Sequence, residues 1–262
     1  MTNMQKSHTP ASLAMMGLAA LALSACDSGT SSAAAPNAAS PGGASPKVSN
    51  TRASLPPAQD WTATVVATPE GGFRMGNPDA EVKIVEFASF TCSHCRDFHL
   101  EAAEKLKGTY VKGGDVSYEY RPFLLNIYDA AAVMIAKCEG PSQFFTWANQ
   151  LYTNHDAWVT PFTKLTEADI APLKSLPADQ QIKGLALAGG MHEFVKPRGM
   201  PKAKFEQCLS DPKAMERITA SQQAAVDTYK IQGTPTFLLN GKKLEIAPNW
   251  AALQPEIDKA LR

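Results

Sequence analysis

Two cysteines separated by two residues, Cys92 and Cys95 in FASFTCSHCRDF, follow directly on an apolar, strand-forming run. A thiol attacks as thiolate, and an ordinary cysteine with a pKa of about 8.5 is mostly protonated at neutral pH. A place at a helix N-terminus changes this. Unpaired backbone N–H groups and the positive end of the helix dipole stabilise Cys92 as an anion, and Cys95, one turn in, is placed to close a disulfide with it. His94 adds a donor, and a cation when protonated, within the same loop. The expected consequence is a stabilised reduced form and hence an oxidising disulfide. Three other chemistries compete for such a pair. Zinc needs two further ligands, and Cys138 and Cys208 stand seventy positions apart outside any second C-x-x-C, so no metal site is expected. A structural disulfide so short, opening a helix, is uncommon. Heme attachment requires His directly after the second cysteine, where Arg96 stands.

The surrounding pattern supplies the elements that must hold this pair. Val82 to Phe87 is compact, apolar and β-rich and reads as a buried central strand despite Lys83 and Glu86. Cys95, Phe98, Ala102 and Leu106 then share one helical face, with Lys105 and Lys107 in the last turn and Gly108 as the expected stop. Val116, Tyr118 and Tyr120 alternate with Ser117, Glu119 and Arg121 in a second strand that runs up to Pro122. A block of Ala-, Leu-, Gln- and Lys-rich segments punctuated by prolines reads as several helices. Thr236 to Leu239 is a strand, Asn240-Gly241 a two-residue hairpin turn, and Lys243 to Ile246 the returning strand. A last helix carries Trp250, Leu253, Ile257 and Leu261. Strand, helix, strand, helical block, hairpin and helix make an α/β chain similar to the thioredoxin fold with an inserted all-helical domain. The expected parts are 61–128 and 231–262 for the thioredoxin-like portion and 129–230 for the insertion.

At this point GNPDAEVKIVEFASFTCSHC, taken with GTPTFLLNG at Gly233 to Gly241, resembles the DsbA family of thiol-disulfide oxidoreductases, particularly the branch that includes BdbD. The resemblance covers roughly Phe73 to Leu261. It implies that Pro235 is cis and packs its loop against Cys92, and that Thr234 offers backbone groups to an extended substrate peptide. It also implies that Glu86 is a buried acid assisting proton transfer at Cys95; the alternative is a carboxylate on a solvated strand end. Cys138 and Cys208 resemble a second, structural disulfide, or else are two buried free thiols. The sequence departs from the strong oxidants at two places. Ser93 stands where they carry Pro, and Thr234, where they carry Val, is more typical of isomerase-type relatives. His99, His155 and His192 read as surface or packing residues, and Phe144, Phe145, Trp147, Tyr152 and Trp158 as the core of the insertion.

The chain has 262 residues and equal numbers of acidic and basic side chains, which argues against a nucleic-acid partner. Residues 1–25 have the layout of a secretory signal, with Ala11 to Leu23 apolar except for Ser12 and too short to span a membrane. Leu23-Ser24-Ala25-Cys26 resembles the bacterial lipobox, so Cys26 is the expected lipidation site, and Asp27 resembles an inner-membrane retention signal. Residues 26–60 are rich in Ala, Ser, Gly and Pro and read as a disordered tether. The chemistry and resemblance together imply a lipid-anchored, extracytoplasmic enzyme that introduces disulfides into secreted or periplasmic proteins, needs no cofactor, and is re-oxidised by a quinone-linked membrane partner. The rivals are an isomerase or reductase kept reduced by a membrane electron donor, and a non-catalytic, chaperone-like lipoprotein.

Overall fold

The computed structural model describes residues 59–262; Cys26, the leader and nearly all of the tether lie outside them. Six strands form one mixed sheet: β1 (Val65–Ala67), β2 (Phe73–Gly76), β3 (Val82–Ala88), β4 (Val116–Pro122), β5 (Thr236–Leu239) and β6 (Lys242–Lys243), in the spatial order β1-β2-β4-β3-β5-β6. Only β3 and β4 are parallel. The crossover between them is α1 (Ser93–Lys105), so the cysteine pair opens the helix of a βαβ unit. Between β4 and β5 lie α2 (Ile127–Lys137), α3 (Pro141–Thr153), α4 (His155–Thr163), α5 (Glu167–Ile170), α6 (Ala178–Ala188), α7 (Met191–Val195), α8 (Lys202–Cys208) and α9 (Ala214–Tyr229). The chain closes with α10 (Trp250–Ala260). This is a thioredoxin-like fold with a helical insertion.

The sheet is covered on both faces. On one, Val82 and Ile84 of β3 pack with Phe98, Ala102 and Leu106 and with Trp250, Leu253 and Ile257 of α10. On the other, Val85 and Phe87 meet Ala225 of α9 and Ile231. Strand alternation therefore puts Glu86 on the face of Val82 and Ile84. Double cover also explains β4, where Ser117 and Glu119 are buried alongside Val116 and Tyr120 instead of alternating toward solvent. Arg121 Nε donates to Glu119 Oε1 at 2.7 Å, and the Thr68 hydroxyl donates to the same oxygen at 2.6 Å, which satisfies that carboxylate. Among the described residues no helix is long and apolar enough to cross a membrane.

Two local expectations are corrected, and one strand appears that none of them named. The helix after the cysteines does not stop at Gly108 but continues as a π-helical segment, Leu106–Val111. Tertiary packing overrides the glycine: Leu106, Tyr110 and Val111 are buried, and the Tyr110 hydroxyl donates to Asp258 at 2.7 Å on α10. The returning strand of the hairpin is Lys242–Lys243 rather than Lys243 to Ile246. After one more ladder bond, Leu244 N–H to the Phe237 carbonyl, the chain leaves this edge so that Leu244 and Ile246 pack on the core. Phe73–Gly76, with Arg74 and Gly76 breaking any apolar run, gives no strand signal in the sequence yet pairs with both β1 and β4. The turn itself forms with both Asn240 (φ 49°) and Gly241 (φ 78°) left-handed, the geometry that favours Asn-Gly.

Candidate active site

Cys92 is the N-cap of α1, with extended backbone and a side chain that accepts from the Cys95 amide, N to Sγ 3.4 Å. The register of β3 with β5 pairs Phe87 with Thr236. The two residues before β5 are thereby carried to the end of β3, where the cysteine loop begins. There the Thr234–Pro235 peptide bond is cis, and the Thr234 carbonyl oxygen accepts from Cys92 Sγ at 3.4 Å. Sequence positions 142 apart become one site.

The two thiols, both reduced, differ in access and charge. Cys92 keeps 7% of its surface and Cys95 none, while Ser93 and His94 between them are exposed. The Cys95 thiol hydrogen-bonded to Cys92 is the largest cause that draws Cys92 down to about 5, against the opposing effect of burial. The Thr234 side chain and the amides of Cys95 and His94 lower it further. Cys95 is driven well above an ordinary thiol, first by burial, then by its bond to Cys92 and by the Glu86 and Cys92 charges. His94 thus reaches Cys92 through its backbone amide, a contribution any residue at this helix start could make.

Glu86 is 2% exposed, lies between Tyr120 and Phe237 in the strand register, and accepts a short hydrogen bond from the Tyr118 hydroxyl. Desolvation raises its pKa to about 8, the Tyr118 bond opposes this, and the Cys92 charge adds to it. A carboxyl of this kind is protonated at neutral pH and poised to exchange its proton.

Several residues of this site were not singled out from the sequence. Asp129 is fully buried and fastens the cysteine loop to the start of α2. It accepts from the Ser89 hydroxyl at 2.8 Å, the Thr91 amide at 2.9 Å and the Leu125 amide at 2.7 Å. Ser89 in turn accepts through its carbonyl from the Cys92 amide at 3.3 Å and the Tyr152 hydroxyl at 3.1 Å. The available signal was Asn126 followed three residues later by an acid, the mark of a helix start, and Asn126 does cap α2. Tyr118 could have been found by asking which β4 residues share the face of Glu86 once β3 and β4 are parallel.

Away from this centre, Cys138 at the end of α2 and Cys208 in α8 are joined by a disulfide with Cα atoms 5.4 Å apart. His155 and His192 are buried with Nε2 unpartnered among the described residues, and neither joins the cysteine site. Arg96 ties α1 to the insertion through Asp156 at 3.2 Å, an exposed pair worth little energy.

A family model described as thioredoxin matches residues 68–259. The chain belongs to the thioredoxin family. A protein-disulfide isomerase from Novosphingobium aromaticivorans is 30% identical, with a TM-score of 0.70 over 73% of this chain and 98% of that one. Alpha-DsbA1 from Wolbachia pipientis, 22% identical with a TM-score of 0.55 over 75% of this chain and 93% of its own, shares the fold. A putative protein-disulfide oxidoreductase from Rickettsia bellii is 26% identical over 196 residues, 73% of this chain. This thioredoxin-family chain spans 65% of the length of that relative, just under two thirds.

Proposed function

We propose that the protein is a thiol-disulfide oxidoreductase that introduces disulfides into extracytoplasmic proteins through Cys92-Ser93-His94-Cys95, held at a membrane by a lipid on Cys26 and re-oxidised by a quinone-linked membrane partner. The observation that carries this reading is the asymmetry of the pair. One thiol is reachable and lowered to about 5, and the other is sealed and raised. A substrate thiolate attacks Cys92 Sγ of the oxidised pair, forming the mixed disulfide as the Cys92–Cys95 bond breaks and Cys95 leaves with the electron pair. Cys95 takes a proton, with Glu86 as the nearby acid. A second substrate thiolate then attacks the substrate sulfur of the mixed disulfide and expels Cys92 as a stable thiolate. The low pKa makes Cys92 a good leaving group and favours this direction. Thr234 and Pro235 supply the loop along which an extended peptide aligns.

The isomerase or reductase reading is favoured by Thr234 and by the similarity to the Novosphingobium protein-disulfide isomerase. A non-catalytic, chaperone-like role predicts no dependence on Cys92. Mixing the oxidised protein with a reduced two-cysteine peptide separates these readings. The expected product is one peptide disulfide per protein, with none from Cys92→Ala. Wild-type protein that leaves the peptide reduced would overturn the oxidase assignment.

A further inference from the structure

A carboxyl that gives or takes a proton at each half-reaction must be reset from solvent, and Glu86 and Cys95 have almost no surface of their own. In the mixed disulfide the substrate also covers the Cys92 side. A different opening exists. A cleft of about 280 Å³ lies between α1 with its π-helical extension, α3, and the β1, β2 and β4 side of the sheet. Neither Cys92 nor the Thr234–Pro235 loop lines it. Its wall includes three tyrosines, Tyr118, Tyr120 and Tyr152, and its rim carries His99 and Asn149, hydrogen-bonded to each other at 3.1 Å. Tyr118 alone of the three is half-buried as a residue, while its hydroxyl is buried and is the one bonded to Glu86.

We propose that Tyr118 passes protons between Glu86 and water entering this cleft, so that the buried half of the redox centre exchanges protons from behind α1 while a substrate covers the front. The proposal rests on the oxidoreductase reading above. When Cys95 leaves as a thiolate, the Glu86 carboxyl gives it a proton and becomes a carboxylate. The Tyr118 hydroxyl passes its proton to that carboxylate as it takes one from water in the cleft, so that no phenolate forms where burial opposes it; the reverse sequence removes a proton when Cys95 attacks. The cleft is roomy and polar enough at its tyrosine wall to admit water. The groups facing Glu86 are consistent with this route. From β4 there is the Tyr118 hydroxyl, from α1 the two thiols, and from β5 the apolar Phe237 at the paired register position. Tyr120, the register partner of Glu86 on β4, and Tyr152 of α3 are also close enough to feel its charge, with their hydroxyls 3.2 Å apart. No lysine or arginine is among the groups acting on Glu86. Tyr118 acts through Glu86 and is a positioning and relay residue rather than a catalytic one.

The test is quenched-flow reduction of the oxidised, intact protein by a reduced two-cysteine peptide, a dithiol long enough to cover the Cys92 side, across pH, in light and heavy water. It compares wild type, Tyr118→Phe, Glu86→Gln, and Ala103→Trp, which plugs the cleft from α1 without touching Glu86. Tyr118→Phe and Ala103→Trp are each expected to slow reduction by about a hundredfold, the lower end of what a positioned proton-transfer group contributes. Both should enlarge the solvent isotope effect, and the double variant should be no slower than either single one. If Glu86→Gln is slow while the other two keep the wild-type rate, exchange occurs at the front and the relay is overturned. If all three keep the wild-type rate, the relay falls together with the proton role of Glu86. A slow Tyr118→Phe with an unchanged isotope effect and pH profile would show packing alone and would also overturn it. Wild-type protein whose disulfide does not exchange with the dithiol would instead remove the oxidoreductase reading.

Discussion

Raising the pH from 5 to 9 is expected to stabilise the reduced protein against unfolding by about 3 kcal/mol relative to the oxidised protein. The folded Cys92 thiol titrates at about 5 and an ordinary thiol near 9. Between these values the unfolded chain still holds its proton while the folded chain has released it, so folding of the reduced form becomes more favourable as the pH rises. The contribution is complete above 9 and is lost as the pH falls through 5. At about 1.4 kcal/mol per unit the full span is roughly 5 kcal/mol, and solvent screening at a sulfur that is partly open trims it to about 3. The oxidised form has no thiol to titrate and serves as the baseline; Glu86 titrates in both forms, and only in the reduced one does the Cys92 charge push it higher, which takes a little from the difference. Denaturant unfolding of both forms at several pH values measures the difference. Curves that run parallel across this range would show that the Cys92 thiolate is not stabilised by the fold.

Glu86→Gln is expected to stabilise the protein by about 2 kcal/mol at neutral pH and to change little below pH 4.5. Here the folded pKa lies above the unfolded one, about 8 against 4.5, so the sign is opposite to that of Cys92. Below 4.5 both states are protonated. As the pH rises to 8 the unfolded state gains from ionising and the folded state does not, which builds a penalty of roughly 3 kcal/mol by neutrality. Glutamine removes the ionisation and keeps an oxygen for Tyr118, but its buried amide needs an acceptor of its own, which reduces the gain. Unfolding free energies of wild type and variant below pH 4.5 and at pH 8 supply the comparison. A variant less stable than wild type at pH 8, with the difference fading below pH 4.5, would mean that Glu86 is held ionised by the fold and contributes to it. A stability cost of this kind beside the buried thiol would support the proton role proposed for Glu86.

The cysteine pair, the strand before it and the helix it opens were legible because each rests on a contiguous pattern: apolar β-branched residues, then one apolar face at helical spacing. The distant Thr234–Pro235 loop was legible only through the resemblance, since nothing local says that it meets Cys92; the β3–β5 register brings it there. What stayed hidden depends on packing between segments far apart. Tyr118 reads as one residue of an alternating strand, and its bond to Glu86 exists only because β3 and β4 run parallel and present the same face to α1. Asp129 reads as a helix-start acid, yet its carboxylate is spent on the loop forty residues earlier that aims Cys92. Gly108 should end a helix by local preference, and the buried Tyr110 and Val111 carry the chain past it. The part played by the Cys95 thiol, the first of the groups that lower Cys92, depends on the three-dimensional placing of the two sulfurs and has no signal of its own in the sequence.

The equilibrium potential of the Cys92–Cys95 pair against glutathione shows whether this geometry makes an oxidising disulfide. With Cys92 held as a thiolate, the expected value is nearer the roughly −120 mV of DsbA than the roughly −270 mV of thioredoxin. A value at or below that of thioredoxin would contradict it and turn the assignment toward a reductase or isomerase that needs an electron donor.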